Sequence, residues 1–363
     1  MALLRDDGGF RVQSQSSTPV TTTADLGARI PRVSPPLSPP GWAGPLGPDL
    51  MRRTQRLSER GWTPPRDVGV DPLEELTRPL RALPALQAGE STRPVGTLDR
   101  LAARIRVNRP SWGARRLPVP ANKTQSTRIS FTLDGRTVTT RGLQDVEVND
   151  LFRAYPMRDF ARRLNQPNHP TAPWIDTMSH LIGAESHLEG AFYLLADFHP
   201  LVSFISGQPF TLSWPKGAGA GSHTPDCLLA TTSSRWGLVV DVKTPEERAT
   251  KEWLSREELL RPELAKLGLN YMVWSGMPRH YRRNLEKFTE ARVPATSMES
   301  WAPLAATLAR SGIRMNDLVD ALGASGYERL RALTLIRRML WLRMLRTDLA
   351  RPVGLETTVW TAE

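Results

Sequence analysis

A chain of 363 residues, 40% hydrophobic and 23% charged, has the composition of a globular protein and the length for one or two buried cores. The lone cysteine, Cys227, excludes an internal disulfide framework, and no window approaches the roughly 18 uncharged apolar residues of a membrane span. The start lacks the basic and apolar regions of a signal peptide, so a cytoplasmic protein is expected, and a net charge of +11 points to an anionic partner, nucleic acid before membrane.

Residues 1–95 read as a disordered, Pro-rich region, because dense proline removes backbone donors and blocks helix and sheet; "PLEELTRPLRALPAL" offers at most a turn or two of helix. Residues 96–175 form an extension with a hairpin at 128–141, where "RISFTLDGRTVTTR" alternates around Asp134-Gly135, a pair suited to a two-residue type I′ turn. "VNDLFRAYPMRDFARRL" reads as a helix interrupted by Pro156.

Residues 176–295 have a definite element order. "GAESHLEGAFYLLADF" is a helix with Leu188, Phe192, Leu195 and Phe198 on one stripe. "PLVSFISGQPFTLSW" gives two extended segments, and "TPDCLLAT" and "WGLVVDVK" give adjacent central strands. "KEWLSREELLRPELAKLG" is a helix that Pro262 should kink or split and Gly268 should end, and "LNYMVWSG" is a last strand. Residues 299–363 resemble a winged helix-turn-helix: two short helices, a long helix with Leu330, Leu333, Ile336 and Leu340 on one face, then a wing hairpin in "TDLARPVGLETTVW". Its arginines, Arg337, Arg338, Arg343 and Arg346 among them, face DNA or a partner protein; the apolar character of the wing favours the partner.

The chemistry concentrates in "HTPDCLLATTSSRWGLVVDVKTPEE". On a strand, Asp241 and Lys243 point the same way, and pairing of the two strands brings Asp226 alongside Asp241. Adjacent carboxylates repel unless a cation or proton lies between them, and oxygen-only ligands, including the Val242 carbonyl, suit Mg²⁺ with Mn²⁺ as substitute. An ammonium beside them can serve a water nucleophile and offset charge on a phosphorane-like transition state, which suits phosphodiester hydrolysis. A third carboxylate comes from Glu185 or Glu189 on the leading helix; Glu189 is nearer the face that docks on the sheet. Removing Asp226 is expected to relieve repulsion and leave metal-free stability level or slightly higher.

In combination, "ESHLEGAFYLLADFHPLVSFISGQPFTLSW", "HTPDCLL" and "GLVVDVKTPEE" resemble the TnsA-type endonuclease subunit of heteromeric transposases. The resemblance is close over about 176–280 and looser over "YPMRDFARRLNQPNHPTAPW" and the winged-helix-like end. It implies an α/β fold with a restriction-endonuclease-like core of the PD-(D/E)xK class, a mixed central sheet flanked by helices. It also implies Mg²⁺-dependent cutting of one strand at transposon ends, beside an integrase-like transposase subunit and an ATPase regulator. On this resemblance Glu189, Asp226 and Asp241 are the acidic ligands and Lys243 the catalytic lysine; Gln208 and His223 also match family positions, Gln208 read as fixing a loop or supporting the ligands from behind, and His223 read from its own surroundings as a strand-end packing histidine. Two other readings share these residues: a stand-alone restriction or defence nuclease, and a non-catalytic DNA- or partner-binding scaffold.

Overall fold

A computed structural model describes residues 71–86, 126–135, 137–158, 170–218, 221–234 and 237–362. The disorder expected over 1–95 lies outside the described residues except at 71–86, where the expected turn or two is a ten-residue helix, α1 (Pro72–Arg81). Asp71 caps it by accepting from Leu73 N at 3.0 Å, and Pro72 occupies the first turn, where its missing N–H has no partner to lose. Glu74 and Glu75 in the first turn and Arg78 and Arg81 in the last complement the helix dipole. Leu76 and Leu80 are buried in the main core. The proline-rich sequence therefore hands over to a packed helix.

Strands β1 (Arg128–Phe131) and β2 (Thr139–Gly142) are antiparallel, as the alternation predicts. The two-residue turn is not formed. Phe131 pairs with Thr139, which leaves 132–138 in the loop, and Asp134 Oδ1 organises it by accepting from Thr137 N (2.7 Å) and Thr132 Oγ1 (3.1 Å). Gly135 keeps its positive φ of 72°. The hairpin also extends a sheet of order β2-β1-β6-β7 with β6 (Thr211–Ser213) and β7 (Ser222–His223), so the 96–175 segment shares a sheet with the segment after it. Helix α2 (Val148–Arg153) ends before Pro156, and β3 (Trp174–Ile175) pairs with β4 (His180–Leu181).

Helix α3 (His187–Phe198) is buried continuously from Glu189 to Phe198, so the expected one-sided stripe becomes a helix covered all round. Its neighbours are the sheet, α1 and α6 (Arg279–Thr289). The main sheet has the order β10-β9-β8-β5, from β5 (Val202–Gly207), β8 (Cys227–Thr231), β9 (Leu238–Val242) and β10 (Asn270–Trp274). Strands β8 and β9 are central, antiparallel and wholly buried, as their apolar runs predict; β9 and β10 are parallel. The crossover carries α4 (Pro245–Arg248), closed by a Thr244/Glu247 capping box, and α5 (Lys251–Lys266). Helix α5 runs through Pro262 as one assigned helix, contrary to the expected split. Gly268, at φ 71°, ends it with Leu269 N donating to Leu264 O at 3.0 Å, a Schellman closure.

The C-terminal part comprises α7 (Ala295–Leu308), β11 (Ile313–Arg314), α8 (Met315–Ala324), α9 (Arg329–Trp341), β12 (Leu345–Arg346) and β13 (Thr358–Thr361), with sheet order β11-β13-β12. The buried face of α9 is Ala332, Leu335, Ile336, Met339 and Leu340; Leu330, expected inside, is 74% exposed because it lies in the first turn, ahead of that face. Asp176 ties this part to the rest. Its carboxylate accepts from Arg292, Arg338, Trp174 Nε1 (2.8 Å) and Trp341 Nε1 (2.9 Å), while Asp197 of α3 accepts from the backbone N–H of Asp176 and Thr177, both at 2.8 Å.

His199, one residue past α3, joins α1 to this frame. The Thr77 hydroxyl donates to Leu73 O, so it accepts from His199 Nε2–H (2.9 Å), and Nδ1 accepts from Leu201 N (3.2 Å). Burial, with Arg343 and Arg81 nearby, lowers this imidazole from 6.5 to about 4. The native state therefore refuses a proton that the unfolded chain accepts. Stability is retained above pH 6.5 and falls by up to about 1.4 kcal/mol per unit as pH drops toward 4. Urea midpoints at pH 7 and pH 5 should fall further apart in wild type than in His199→Gln; parallel shifts would refute this linkage.

Candidate active site

The site lies at the end of the central strand pair. Cys227 pairs with Val240, so the next step along each strand sets Asp226 across from Asp241, as expected. Asp226 is 4% exposed, and its Oδ2 accepts from Val242 N (2.8 Å) and Lys243 Nζ (3.0 Å). Its backbone carbonyl accepts from Tyr193 of α3 (2.8 Å) and from Gln208 N (3.1 Å). Burial and the nearby Asp241 charge raise the Asp226 pKa, against the pull of Lys243 and Val242 N–H.

Asp241 is fully buried and faces two donors: His223 Nε2 at 2.9 and 3.0 Å from its two oxygens, and Tyr271 Oη at 2.8 Å. Burial alone would raise this carboxyl; His223, Lys243 and the tyrosine hydroxyl outweigh it and hold the pKa below its ordinary value. His223, read from the sequence as a strand-end packing group, is thus a hydrogen-bonding partner of Asp241 that also packs edge-on against Trp253, 5.6 Å between ring centroids.

Lys243 Nζ bridges Asp226 and the Val242 carbonyl (3.0 Å) and lies over the Trp253 ring, 5.1 Å from its centroid. Burial works against its charge, but Asp226, Asp241 and Glu189 more than compensate, and its pKa is raised. Here the Val242 carbonyl meets the lysine.

Of the two candidate glutamates, Glu189, in the first turn of α3, is buried, while Glu185, just ahead of the helix, is ion-paired with Arg158 at 2.7 Å. Ser186 caps α3 by accepting from Glu189 N (3.1 Å), and the Glu189 carboxylate folds back to accept from Glu185 N (2.9 Å) and Ser186 Oγ (3.2 Å). Burial first, then the charge of Asp226, push its pKa up to about 8. One electrostatic neighbourhood therefore holds Glu189, Asp226, Asp241 and Lys243. Each carboxylate is turned to a protein donor, and among the described residues no three His, Cys, Asp or Glu groups converge as a ready metal cluster.

Gln208 lies opposite Asp226, just past the last residue pair of β5 and β8, at φ +48°. Its backbone N–H donates to Asp226 O and its backbone carbonyl accepts from Met157 N (2.8 Å). The arginines are dispersed. Arg338 is engaged by Asp176; Arg343 donates to the Phe198 carbonyl and stacks on that ring at 5.8 Å; Arg337 is half-buried on α9; Arg346 is exposed on β12.

Sequence reasoning missed Tyr271, Tyr193 and Trp253. Tyr271 reaches Asp241 only because β10 lies parallel beside β9, and Trp253 reaches Lys243 only because the first turn of α5 folds back over the strand ends. The sole hints were a hydroxyl inside otherwise apolar segments for the two tyrosines and a lone indole in the first turn of a charged helix for Trp253. Compared with known proteins, the chain matches no family model and no curated protein sequence.

Proposed function

We propose that the chain is a Mg²⁺-dependent DNA endonuclease with a restriction-endonuclease-like core, cutting one strand at transposon ends as a subunit of a heteromeric transposase. The observation that carries the reading is the Lys243–Asp226 contact at 3.0 Å, set in a buried group that also holds Asp241 and Glu189. A lysine and three carboxylates are a costly group to bury for packing alone. The order α3, β5, β8, β9, α5, β10 supports the core, and α7, β11, α8, α9, β12, β13 supports a winged-helix-like module.

The donor chemistry fits a hard divalent cation, since carboxylates and one carbonyl are all oxygen ligands. Glu189, Asp226, Asp241 and the Val242 carbonyl would hold it, and its place in the reaction is to supply Lewis acidity and lower the pKa of water. The chain's own part is more specific. Asp226 and Val242 O aim the Lys243 ammonium, Trp253 covers it, and His223 with Tyr271 fix Asp241. The positive charge offsets the negative charge developing on a phosphodiester under attack. Nicking of transposon-end DNA with Mg²⁺, with and without the integrase-like subunit, tests the reading; no cleavage in either case, together with no Mn²⁺ binding, would sink it.

The C-terminal module serves as the docking surface for the transposase or its ATPase regulator. Leu342, Met344 and Trp360 are exposed around β12 and β13, while Arg338 is engaged by Asp176 and Arg343 by the Phe198 carbonyl. Arg337→Ala and Arg346→Ala should accordingly leave the salt slope of DNA binding nearly unchanged. A slope flatter by about one unit for each substitution would show that these arginines neutralise phosphates instead.

A further inference from the structure

Gln208 breaks two rules at once. It is a non-glycine residue in the left-handed region, at φ +48°, and its side chain is fully buried with neither amide atom hydrogen-bonded. A left-handed residue of this type is strained, and an orphaned carboxamide forfeits both a donor and an acceptor that water would satisfy. The backbone does not need the amide, because Gln208 N and O are already taken by Asp226 O and Met157 N. Glycine would relieve the strain, and a thioether of similar length would fill the space without orphaned polar atoms.

The residue's place suggests what the amide is for. Gln208 continues β5 one step beyond the Gly207–Cys227 pair, which sets it across from Asp226, with Cα atoms about 5 Å apart in such a pair. Tyr193 donates to the same Asp226 carbonyl that receives Gln208 N–H, so the segment is pinned from two sides. A strained, pinned residue with a spare buried acceptor and donor, at the register position opposite Asp226, is the arrangement expected where a polar ligand completes the site.

We propose that the Gln208 carboxamide is a positioning group that hydrogen-bonds the hydration water of a divalent cation held at Asp226. This rests on the metal-dependent reading above and extends it: the site takes a partly hydrated cation, and Gln208 orients that water without ligating the metal.

The test uses the full chain, Mn²⁺ alone as the probe, and two substitutions. Without metal, Gln208→Met should raise Tm by about 2–4 °C, because it removes orphaned polar atoms while keeping the volume. In calorimetry the same variant should bind Mn²⁺ about tenfold more weakly or worse. Gln208→Glu keeps an acceptor, so it should lower the metal-free Tm by placing a carboxylate near Asp226 yet retain Mn²⁺ affinity. Wild-type Mn²⁺ binding with unchanged affinity in Gln208→Met overturns the proposal alone. Absence of Mn²⁺ binding in the wild type overturns the metal-dependent reading and the proposal with it. A lower Tm in Gln208→Met with unaltered Mn²⁺ affinity shows that the amide is structural, and likewise refutes the proposal.

Discussion

Asp226→Ala is expected to abolish Mg²⁺-dependent strand cleavage, by at least about a thousandfold, and also to destabilise the metal-free protein. The second effect reverses the expectation drawn from carboxylate repulsion. Asp226 Oδ2 is the acceptor for Val242 N and Lys243 Nζ, and truncation strands both donors in a site only 4% exposed at Asp226. A buried donor left unpaired costs about 1–3 kcal/mol, which exceeds the relief at Glu189 because Lys243 loses its nearest countercharge at the same time. Asp226→Asn keeps an acceptor for Val242 N and separates the two effects: cleavage lost, stability largely kept. Urea denaturation and end-DNA nicking on the same preparations check both. A soluble Asp226→Ala protein that cuts at the wild-type rate would dismiss the site assignment.

Asp176→Ala should give the largest loss of stability, about 2–3 kcal/mol. One carboxylate, 20% exposed, serves Arg292, Arg338 and the indoles of Trp174 and Trp341; its removal strips the part-buried Arg338 and the buried Trp341 of their partner, while the exposed Arg292 and Trp174 turn to water. Arg338→Ala should cost less, since Asp176 keeps three of its donors. Burial acts against the Asp176 charge, but the two arginines prevail and its pKa lies below 3.8. The contribution is therefore present above pH 3.8 and fades only as pH falls through the lower native value. Hydrogen exchange should place the loosening in α9 and the segment around Trp174. Unchanged protection there would show that the module is held by its apolar contacts alone.

Local patterns carried well where an element is defined by its own residues. The apolar runs at Cys227–Thr231 and Leu238–Val242 read as two central strands whose pairing sets Asp226 alongside Asp241, whereas the contact of Lys243 with Asp226 emerges only in the fold. Patterns failed where tertiary packing decides. The sequence of helix α3 reads as a single apolar stripe, but α1 and α6, partners from distant parts of the chain, also pack on it and bury it from Glu189 to Phe198. The 71–86 segment was read with its proline-rich surroundings, although Asp71, Pro72 and the Leu76/Leu80 spacing were the marks of a capped, buried helix. In the site, the carboxylates and the lysine were legible as residue types in order. Their partners were not: Tyr271 and His223 arrive from a parallel neighbour and from a second sheet, and no spacing along the chain encodes either meeting.

Helix α3 has a mechanical consequence. At about 1.5 Å per residue, its Glu189 and Phe198 stand about 13 Å apart, joined by a rod enclosed along that whole length. The near end carries the candidate site. The far end is clamped by Asp197 to the Asp176 turn, by Arg343 to the Phe198 carbonyl, and through His199 to α1. A rod clamped at both ends transmits tilt and does not absorb it. On the proposed function, a displacement of the C-terminal module would reach Glu189 as a small rotation, so random mutagenesis should yield inactivating substitutions in two patches a rod's length apart, the remote one made of residues outside the candidate site.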